Sequence, residues 1–444
     1  MQPKRPLLNL ELEYRRVDEL KPHSRNARTH SKRQIRQIAE SIKAFGFTNP
    51  ILIDRANRIV AGHGRVKAAE TLGMERVPTI QLENMNEDEV RAYILSDNRL
   101  AEKAGWDPNI LATELQHLLT IEVADFDVTV TGFEVGEIDL ILEEANRKPD
   151  IDDVLAAPDT GPAVTQANDL WMLGRHRILC SSSLAKASYD ALMGRERADV
   201  VFADPPYNIV IDGNVSGKGR AHHREFAMAS GEMTEAEFVA FLARIFGHLI
   251  RYSRNKSVHF ICMDWRHIGE IRAAGKEVYD ELLNVCVWVK DNAGMGSFYR
   301  SRHELVFVFR NGKDPHRNNV QLGRFGRNRT NVWEYAGANT FSKQGEEGNL
   351  VALHPTVKPV ALIADALLDC SARGDVVLDP FLGSGSTLIA SERVGRLCYG
   401  IEIDPLYVDI AIRRWQKHTG DHAVHAVTSR LFDEIAGASE VNHG

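Results

Sequence analysis

The sequence predicts an α/β chain in two parts, in which a doubly wound, mostly parallel sheet follows a smaller α/β domain. The chain has 444 residues, which at about 150 residues per domain suggests two or three domains. Beyond residue 166, short apolar runs alternate with helical patterns, as in a sheet that helices cover on both faces. Hydrophobic residues make up 43% and charged residues 26%, which excludes a fibrous or wholly disordered protein.

Composition also bears on the cellular setting and on partners. No run of about 18 apolar residues occurs, and the first residues lack the apolar core of a signal peptide. The five cysteines lie far apart without metal-ligand spacing, so we expect a reduced, cytoplasmic setting. The net charge of −7 argues mildly against a nucleic-acid partner, but a net value hides local patches.

Charge is distributed unevenly along the chain. Residues 21–43 contain seven basic residues against one acid, and residues 290–329 contain nine against three. Residues 134–159 are acidic and continue into a polar stretch with Pro, Gly and Thr. We therefore expect a linker over residues 146–166.

The first domain, residues 10–145, is predicted to be a small α/β unit. Ile35, Ile38 and Ile42 recur at three- and four-residue spacing, which predicts an amphipathic helix over 31–45 with Ser31 as its N-cap. Its other predicted elements are strands over 50–54, 59–61 and 77–82, a helix through Val66, Ala69 and Leu72 that Gly73 ends, and a helix over 87–96.

The second domain, residues 167–430, supplies most of the predicted sheet. Its strands are apolar on both faces, as expected where helices cover both sides. The predicted strands are 200–203, 258–263, 284–289, 304–309, 376–378 and 398–401, with helices over 235–252 and 360–370.

A short polar motif follows the strand 200–203. Two prolines cannot continue a sheet ladder, so Pro205 and Pro206 must lead the chain away at the carboxyl end of the strand. That edge binds ligands in open α/β sheets. The Asp204 carboxylate and the Pro205 carbonyl could accept both hydrogens of an exocyclic amine while Tyr207 stacks on a planar base. A plain strand-to-loop turn favours the same residue types, so this motif alone leaves both interpretations open.

A glycine-rich loop follows the strand 376–378. It contains Asp379, Gly383, Ser384 and Gly385, before a helix that starts near Thr387. Glycines let the backbone approach a ligand, and free N–H groups at a helix start can bind an anion such as a carboxylate. The third glycine of a dinucleotide fingerprint is absent, so a pyrophosphate is disfavoured. Glu402, nineteen residues beyond Gly383, is placed to bind ribose hydroxyls. The alternative is a tight turn that merely happens to lie near surface acids, and the combination of strand, glycines, helix and acid in this order disfavours it.

Residues 168–430 resemble the β-class amino-DNA methyltransferases, which use S-adenosylmethionine. The resemblance lies in DPPY at 204–207, HPTVKP at 354–359, DPFLGSGST at 379–387 and GIEID at 400–404. The acceptor motif precedes the cofactor motif and a basic insertion separates them, which is the β-class order. The resemblance implies a Rossmann-like methyltransferase sheet.

The same resemblance implies a role for each matching residue. Asp204 and the Pro205 carbonyl would hold the amine of a flipped base, Pro206 would complete the turn, and Tyr207 would stack on the base. The cofactor residues would be Lys358, Asp379, Phe381, Gly383, Ser384, Gly385, Thr387, Glu402 and Asp404. Among these, Lys358 would help to close the pocket. The reaction would be a direct in-line methyl transfer, with Asp204 ionised at its ordinary pKa of about 3.9.

The resemblance also bears on the target base. DPPY accompanies adenine-N6 more often than cytosine-N4 in this family, so we expect adenine in double-stranded DNA, with cytosine-N4 as the alternative. No cysteine lies beside a PPY-like motif, so carbon-5 methylation is disfavoured. The adjacent His222 and His223 lack ligand partners at matching spacing, so we expect a polar loop over 213–223 and no metal.

DNA contact is expected in the basic insertion, about residues 290–345, the counterpart of the family's variable target-recognition region. Its expected DNA-binding residues are Arg300, Arg302, Arg324, Arg327 and Arg329, interleaved with Phe298, Tyr299 and Phe325. A solvated surface is the alternative interpretation of such a charge run.

The first domain resembles the ParB/sulfiredoxin-like domain. The resemblance lies in LKPHSRNARTH at 20–30, NPILID at 49–54 and IVAGHGRVKAAETLG at 59–73. It implies a nucleotide- or phosphate-binding turn at Gly62, His63, Gly64 and Arg65. The sulfiredoxin cysteine is replaced by His63, which disfavours a sulfinic-acid reductase, and a turn poorer in arginine than that of ParB counts against CTP hydrolysis. No helix-turn-helix is evident after this domain, which leaves an accessory DNA-binding or nucleotide-sensing module or a purely structural domain.

Three functions remain for the whole chain. The leading hypothesis is a site-specific DNA amino-methyltransferase, as found in restriction-modification systems, with a homodimer as one state common in the family. A ParB-like DNA clamp with an idle methyltransferase half is the first alternative, and the intact motifs argue against it. A protein or RNA methyltransferase is the second, weakened by DPPY in place of NPPY.

Overall fold

The computed structural model describes residues 10–120, 127–145, 163–208, 231–290, 298–320, 329–336 and 357–441. The chain divides into two compact units, Met1–Asn146 and Arg147–Gly444. Several predicted features lie outside the described residues: most of the linker, the loop 213–223 with His222 and His223, Arg324, Phe325, Arg327, and the first half of HPTVKP. Within the described ranges, no helix is both long and apolar enough to cross a bilayer.

The first unit holds a four-stranded sheet flanked by helices. In chain order its elements are β1 (Leu12–Arg16), α1 (Lys32–Phe45), β2 (Ile51–Ile53), β3 (Ile59–Ala61), α2 (His63–Thr71), β4 (Arg76–Gln81), α3 (Glu87–Lys103), α4 (Pro108–Thr120) and α5 (Val135–Ala145). The strand order is β1-β4-β2-β3. Ser31 caps α1 as predicted, since its side chain accepts the Gln34 N–H at 3.1 Å. Gly62 enters α2 with φ of 104°, a left-handed conformation that favours glycine.

Helices α4 and α5 pack against each other at the end of this unit. Ala112 and Leu115 of α4 and Ile138 and Leu142 of α5 form their own buried apolar cluster. The sequence analysis did not predict this helix pair.

The second unit is built on a ten-stranded sheet. Its strands are β5 (Leu170–Leu173), β6 (His176–Cys180), β7 (Ala198–Ala203), β8 (Ser253–Met263), β9 (Glu281–Val289), β10 (His303–Arg310), β11 (Val332–Glu334), β12 (Val376–Asp379), β13 (Leu397–Glu402) and β14 (Val424–His425). The order is β11-β9-β10-β8-β7-β12-β13-β6-β5-β14. The central strands β8, β7, β12, β13 and β6 are parallel, as predicted. On the outside, β10 and β9 on one flank and β5 and β14 on the other pair antiparallel.

Helices cover both faces of this sheet. They are α6 (Lys186–Met193), α7 (Glu235–Arg251), α8 (Ile268–Val278), α9 (Val360–Cys370), α10 (Ser386–Arg393), α11 (Pro405–Thr419) and α12 (Phe432–Val441). Neighbouring strand residues point to opposite faces, so Val377 packs in one buried cluster with α9, α10 and α11, and Leu378 in another with α6, α7 and α8. The fold is therefore a doubly wound α/β sheet preceded by a small α/β unit.

The central parallel strands place the predicted motifs together. Val200 and Val201 of β7 pair with Val377 and Leu378 of β12, which in turn pairs in parallel with β13. The carboxyl ends of these three neighbouring strands carry Asp204, Asp379 and Glu402. All three acids therefore lie at one edge of the sheet.

Candidate active site

Asp204 lies at the centre of a buried cluster of charged groups. Its Oδ2 atom is 2.6 Å from Nζ of Lys358, and its Oδ1 atom accepts a hydrogen bond of 2.7 Å from the Tyr207 hydroxyl. Nζ of Lys358 is also 3.0 Å from Oε2 of Glu304, whose other oxygen binds Lys290. The cluster thus alternates lysine and carboxylate: Lys290, Glu304, Lys358, Asp204.

Burial and charge shift the pKa values of this cluster in different directions. Burial raises the pKa of Asp204 above its ordinary range, and the Lys358 charge opposes that shift. Burial alone would also raise the pKa of Glu304, but the charges of Lys358 and Lys290 lower it to about 2. Burial works against the charge of Lys358, yet the two carboxylates raise its pKa. Glu304 and Lys358 are therefore charged at neutral pH, whereas the ordinary pKa assumed for Asp204 is too low.

The DPPY turn leaves the sheet as predicted. Pro205 is buried, and neither Pro205 nor Pro206 has a backbone N–H that could bond to a neighbouring strand. The Tyr207 hydroxyl is tied to Asp204 and lies 3.2 Å from both Glu304 and Lys358. Asn208 follows with φ of 53°, and its side chain binds both backbone groups of Met233, just before α7.

The glycine-rich loop is joined to Glu402 through the backbone. The Gly383 N–H donates to one oxygen of Glu402 at 2.8 Å, and the Asp404 N–H donates to the other at 2.9 Å. Gly385 adopts φ of 87° at the N-cap of α10, and a Cβ there would lie 2.9 Å from Cβ of Ala411. Any residue other than glycine would force α11 or the turn to move. Because glycine has no side chain, the backbone can also approach a ligand closely here.

Asp379, at the start of the same loop, hydrogen-bonds to two residues that follow it. Its Oδ1 accepts the Phe381 N–H at 2.9 Å, and the Thr387 hydroxyl also hydrogen-bonds this carboxyl group. Burial raises the pKa of Asp379 to about 7, with smaller contributions from the charges of Asp204 and Glu402. Ser384 and Thr387 are buried, and Asp404 caps α11 by accepting the Leu406 N–H at 3.0 Å.

The loop has the chemistry of a nucleoside site. The Glu402 carboxylate accepts the backbone N–H groups of Gly383, Asp404 and Ile403, and a carboxylate with about four acceptor positions still has room for a ribose hydroxyl. The loop glycines allow close backbone approach at the start of α10. The residues present therefore fit a nucleoside cofactor beside the Asp204 cluster.

The first unit places its predicted turn in a cavity of about 170 Å³. Gly62, His63, Gly64 and Arg65 line it together with Arg28 and His30. Burial and the neighbouring His30 and His23 lower the pKa of His63 to about 4, so this imidazole is neutral at pH 7. Arg65 donates to the backbone oxygens of Asn49 and Pro50 at 2.6 and 3.2 Å, which holds its guanidinium at the rim of the turn.

Protein-family models match three stretches of the chain. A DNA methylase model matches residues 198–413, a ParB N-terminal domain model matches 8–99, and a ParB-methyltransferase HTH domain model matches 109–167. Residues 198–413 therefore form a DNA methylase domain. In addition the chain carries a ParB N-terminal domain and the HTH domain of ParB-methyltransferases.

Similar proteins match the two parts of this methylase separately. The ParB-like nuclease domain-containing protein YnaK of Escherichia coli (strain K12) is 52% identical over 80 residues, 18% of this chain and 92% of that protein. The Type II methyltransferase M.HpaI of Haemophilus parainfluenzae is 25% identical over 256 residues, 54% of this chain and 73% of that protein. The structure of a DNA modification methylase of Thermus thermophilus complexed with S-adenosyl-L-methionine is 21% identical with a TM-score of 0.39, and covers 56% of this chain and 97% of that one.

The expectation that no helix-turn-helix follows the first domain is wrong. The matched HTH stretch includes most of α4 and all of α5, the helix pair that buries Leu115 against Ile138 and Leu142. The sequence carried a signal, since Leu111, Leu115 and Leu119 recur every four residues, a helical spacing.

The three expected DNA-binding arginines that the structure describes fall into two environments. Arg300 and Arg302 are exposed. Arg329 is largely buried, with its guanidinium 3.1 Å from Asp365 and 3.2 Å from Asp369 on α9. Arg329 is therefore engaged inside the methylase domain, whereas Arg300 and Arg302 face solvent.

Two charged residues of the site, the buried Glu304 and the partly exposed Lys290, were not predicted from the sequence. Glu304 and Lys290 join the Asp204 cluster through β10 and the end of β9. Lys358, predicted beside the cofactor loop, lies against Asp204. The signal for Glu304 was an acid that opens an otherwise apolar strand, since the next residues, Leu305 to Phe309, are all apolar.

Proposed function

We propose that this DNA methylase transfers a methyl group from S-adenosylmethionine to the exocyclic N6 amine of adenine at specific sites in duplex DNA. The observation that carries the proposal is the common sheet edge of the Asp204 turn and the glycine-rich loop. One motif offers two acceptors for an amine, and the other offers a nucleoside site. A methyl group held between them would be transferred directly to the amine nitrogen.

The residues of the turn would prepare the amine for attack. An aromatic amine is a poor nucleophile because its lone pair is delocalised into the ring. Asp204 and the Pro205 carbonyl would accept its two N–H groups, which favours a pyramidal nitrogen whose lone pair faces the methyl group. S-adenosylmethionine supplies an electrophilic methyl group when bound. Glu402 would bind its ribose, and Gly383 to Gly385 would line its methionine part.

Adenine is the proposed target because the motif at 204–207 is DPPY. Mass spectrometry of DNA from cells that express the protein tests this choice. We expect N6-methyladenine; N4-methylcytosine without N6-methyladenine would show that the target is cytosine. Asp204→Ala is the control for the site, and equal methylation by this variant and the wild type would exclude Asp204 as the amine acceptor.

The basic insertion is the proposed DNA contact. Phe298 and Tyr299 are 87% and 82% exposed, and their rings lie 4.4 Å apart beside Arg300 and Arg302. Exposed rings can stack on unpaired bases, and the arginines can bind phosphates. Single alanine variants of the two exposed arginines should each weaken DNA binding and lower its salt dependence by about one unit.

The cavity of the first unit is the proposed site for a nucleotide. Its support is the glycine turn at the start of α2 with arginines at the rim. Calorimetric titration of the protein with each ribonucleoside triphosphate tests it, with Arg28→Ala as the control variant. Binding of one triphosphate that Arg28→Ala weakens is the expected result, and no heat from any of them would leave the cavity a structural feature.

A further inference from the structure

We infer that Glu304 is a positioning residue for methyl transfer, which holds Lys358 beside Asp204 so that Asp204 keeps the orientation of an amine acceptor. This inference rests on the proposed function of the Asp204 turn. Glu304 lies outside the DPPY and glycine-rich motifs, on a strand that neither motif includes.

Glu304 contacts both side chains that hydrogen-bond to the Asp204 carboxylate. Its Oε2 atom is 3.0 Å from Nζ of Lys358 and 3.2 Å from the Tyr207 hydroxyl. Those same two groups contact the two different oxygens of Asp204. Glu304 therefore orients the Lys358 ammonium that binds one oxygen of Asp204, and it lies beside the Tyr207 hydroxyl, which donates its one hydrogen to the other oxygen.

The position of Glu304 is itself fixed. It lies opposite Trp288 in the antiparallel pairing of β10 with β9, and its side chain is 9% exposed. Lys290, two residues beyond Trp288, binds the other oxygen of Glu304. A buried carboxylate is stable in a core only when it is paired, and two lysines pair with Glu304. If this position served packing alone, an apolar residue would be more favourable.

The charge of Glu304 also changes what Asp204 can do. Without the Glu304 carboxylate, the Lys358 ammonium would bind Asp204 alone, and its full charge would make Asp204 a weaker hydrogen-bond acceptor. With both carboxylates present, Lys358 is shared between them. The negative charge of Glu304 then adds to burial in raising the pKa of Asp204, which makes Asp204 a stronger base. As the N–C bond forms and the S–C bond breaks, the electron pair stays on sulfur and the nitrogen becomes cationic. A proton must then leave that nitrogen, and Asp204 is the base that would lie in contact with it.

The pH dependence follows from the groups around the two carboxylates. The titratable and charged groups that face Asp204 and Glu304 are Lys290, Lys358, Tyr207, Cys262 and Asp379. The pKa values of Cys262, Tyr207 and Lys358 are all raised, so none of these groups changes charge between pH 5 and 8. Asp379, with a pKa of about 7, titrates in that range in the wild type and in the Glu304 variants alike.

The test compares kcat, KM and pH profiles of Glu304→Gln, Glu304→Asp and the wild type on a short DNA duplex. Gln removes the charge of Glu304, so the pKa of Asp204 falls and the acid limb of the kcat profile should move to lower pH. Misplacement of Asp204 should lower kcat by about 100-fold. The KM for S-adenosylmethionine should change less than about threefold, since Glu304 lies away from the glycine-rich loop. Asp keeps the charge but is shorter, so its acid limb should stay at the wild-type pH while kcat falls less.

Glu281→Gln is the matched control. Glu281 lies on β9 and pairs with Arg310 of β10 at 2.6 Å, a cross-strand ion pair of the same two strands outside the Asp204 cluster. Its variant should keep the wild-type kcat and pH profile. A Glu304→Gln enzyme with wild-type kcat and an unmoved acid limb would overturn the inference, as would a loss of kcat without any movement of the limb.

Two further measurements separate this inference from the proposed function. Asp204→Asn, measured in parallel, should be inactive; if it keeps wild-type activity, the proposed amine site fails and the inference fails with it. If Asp204→Asn is inactive while Glu304→Gln behaves as wild type, only the inference fails. If Glu304→Gln does not bind S-adenosylmethionine, Glu304→Asp is the deciding variant. A kcat lowered at least about tenfold with wild-type cofactor affinity supports the positioning role of Glu304, and a wild-type kcat overturns it.

Discussion

Asp379 is a buried carboxyl group whose ionisation opposes folding. Its pKa is raised from the ordinary value of 3.8 to about 7, so the folded state holds a proton that the unfolded state releases between those values. Stability should therefore fall as the pH rises from about 4 to 7 and level off above that range. The shift corresponds to a penalty on the order of 4 kcal/mol at pH 8.

Asp379→Asn tests this penalty. Asn stays neutral at every pH and can still accept the Phe381 N–H, so the variant should gain stability relative to the wild type as the pH rises from 5 to 8. Thermal unfolding without cofactor measures the difference in Tm at each pH. Asp421→Asn is the control, because Asp421 is exposed and its variant should follow the wild type. A constant difference in Tm between Asp379→Asn and the wild type would contradict the assignment.

Single residues differ in how far the sequence can predict them. Asp204 and Glu402 stand in motifs, and the parallel order of β7, β12 and β13 brings them to one edge as expected. Glu304 and Lys290 reach the same cluster only through the register of β10 against β9. Apolar periodicity predicts that a strand exists but not its partner or its register, so these two residues could not be placed from the sequence.

At the scale of elements, the turn into α10 requires glycine for two separate reasons. Gly385 has φ of 87°, and a Cβ there would approach Cβ of Ala411 to 2.9 Å. Gly385→Ala should cost about 1–2 kcal/mol for the backbone and about 1–3 kcal/mol more for the clash. It should also raise the KM for S-adenosylmethionine.

Gly374→Ala isolates the backbone cost. Gly374 has φ of 79° but has open space where a Cβ would lie. Urea unfolding of both variants should therefore show the larger loss for Gly385→Ala. Equal losses would mean that α11 moves away from the new methyl group at no cost.

Arg329 and Arg300 are predicted to act on different properties. Arg329 lies between Asp365 and Asp369 of α9 and contacts the Tyr335 hydroxyl at 2.7 Å, so it joins the basic insertion to the methylase core. Arg329→Ala should lower the free energy of unfolding by about 2–3 kcal/mol, because it removes the guanidinium that two half-buried carboxylates share.

The salt dependence of DNA binding distinguishes the two arginines. Arg300→Ala should reduce the salt slope by about one unit and leave the free energy of unfolding unchanged, since Arg300 is exposed. Filter binding at low and at moderate salt and urea unfolding measure the two effects. A reduced slope for Arg329→Ala with full stability would instead place this guanidinium on the DNA.

Element types were more predictable than their arrangement. The pattern of Ile35, Ile38 and Ile42 predicts α1 because a helix repeats every 3.6 residues, and Ser31 caps it through local chemistry. The orientation of a strand leaves no such pattern, so the antiparallel flanks of the large sheet were not expected. Tertiary pairing decides what local periodicity does not.

At the scale of the whole molecule, net charge misleads because the chain has two units. The net charge of −7 argued against nucleic acid, yet a basic block lies in each unit: residues 21–43 in the first and 290–329 in the second. DNA responds to local potential within about a Debye length, so the negative total does not exclude a basic surface that contacts DNA.

The division into two units predicts that methyl transfer survives without the first one. Each unit has its own buried clusters, and the Asp204 cluster and the glycine-rich loop belong wholly to the second. Residues 147–444 should therefore keep the kcat and the KM for S-adenosylmethionine within about threefold. Loss of the basic block 21–43 and of the helix pair α4–α5 should raise the KM for long DNA and lower its salt dependence. Methylation kinetics on a short duplex and on plasmid DNA measure both effects, and a truncated chain that no longer binds the cofactor would show that the second unit needs the first to fold.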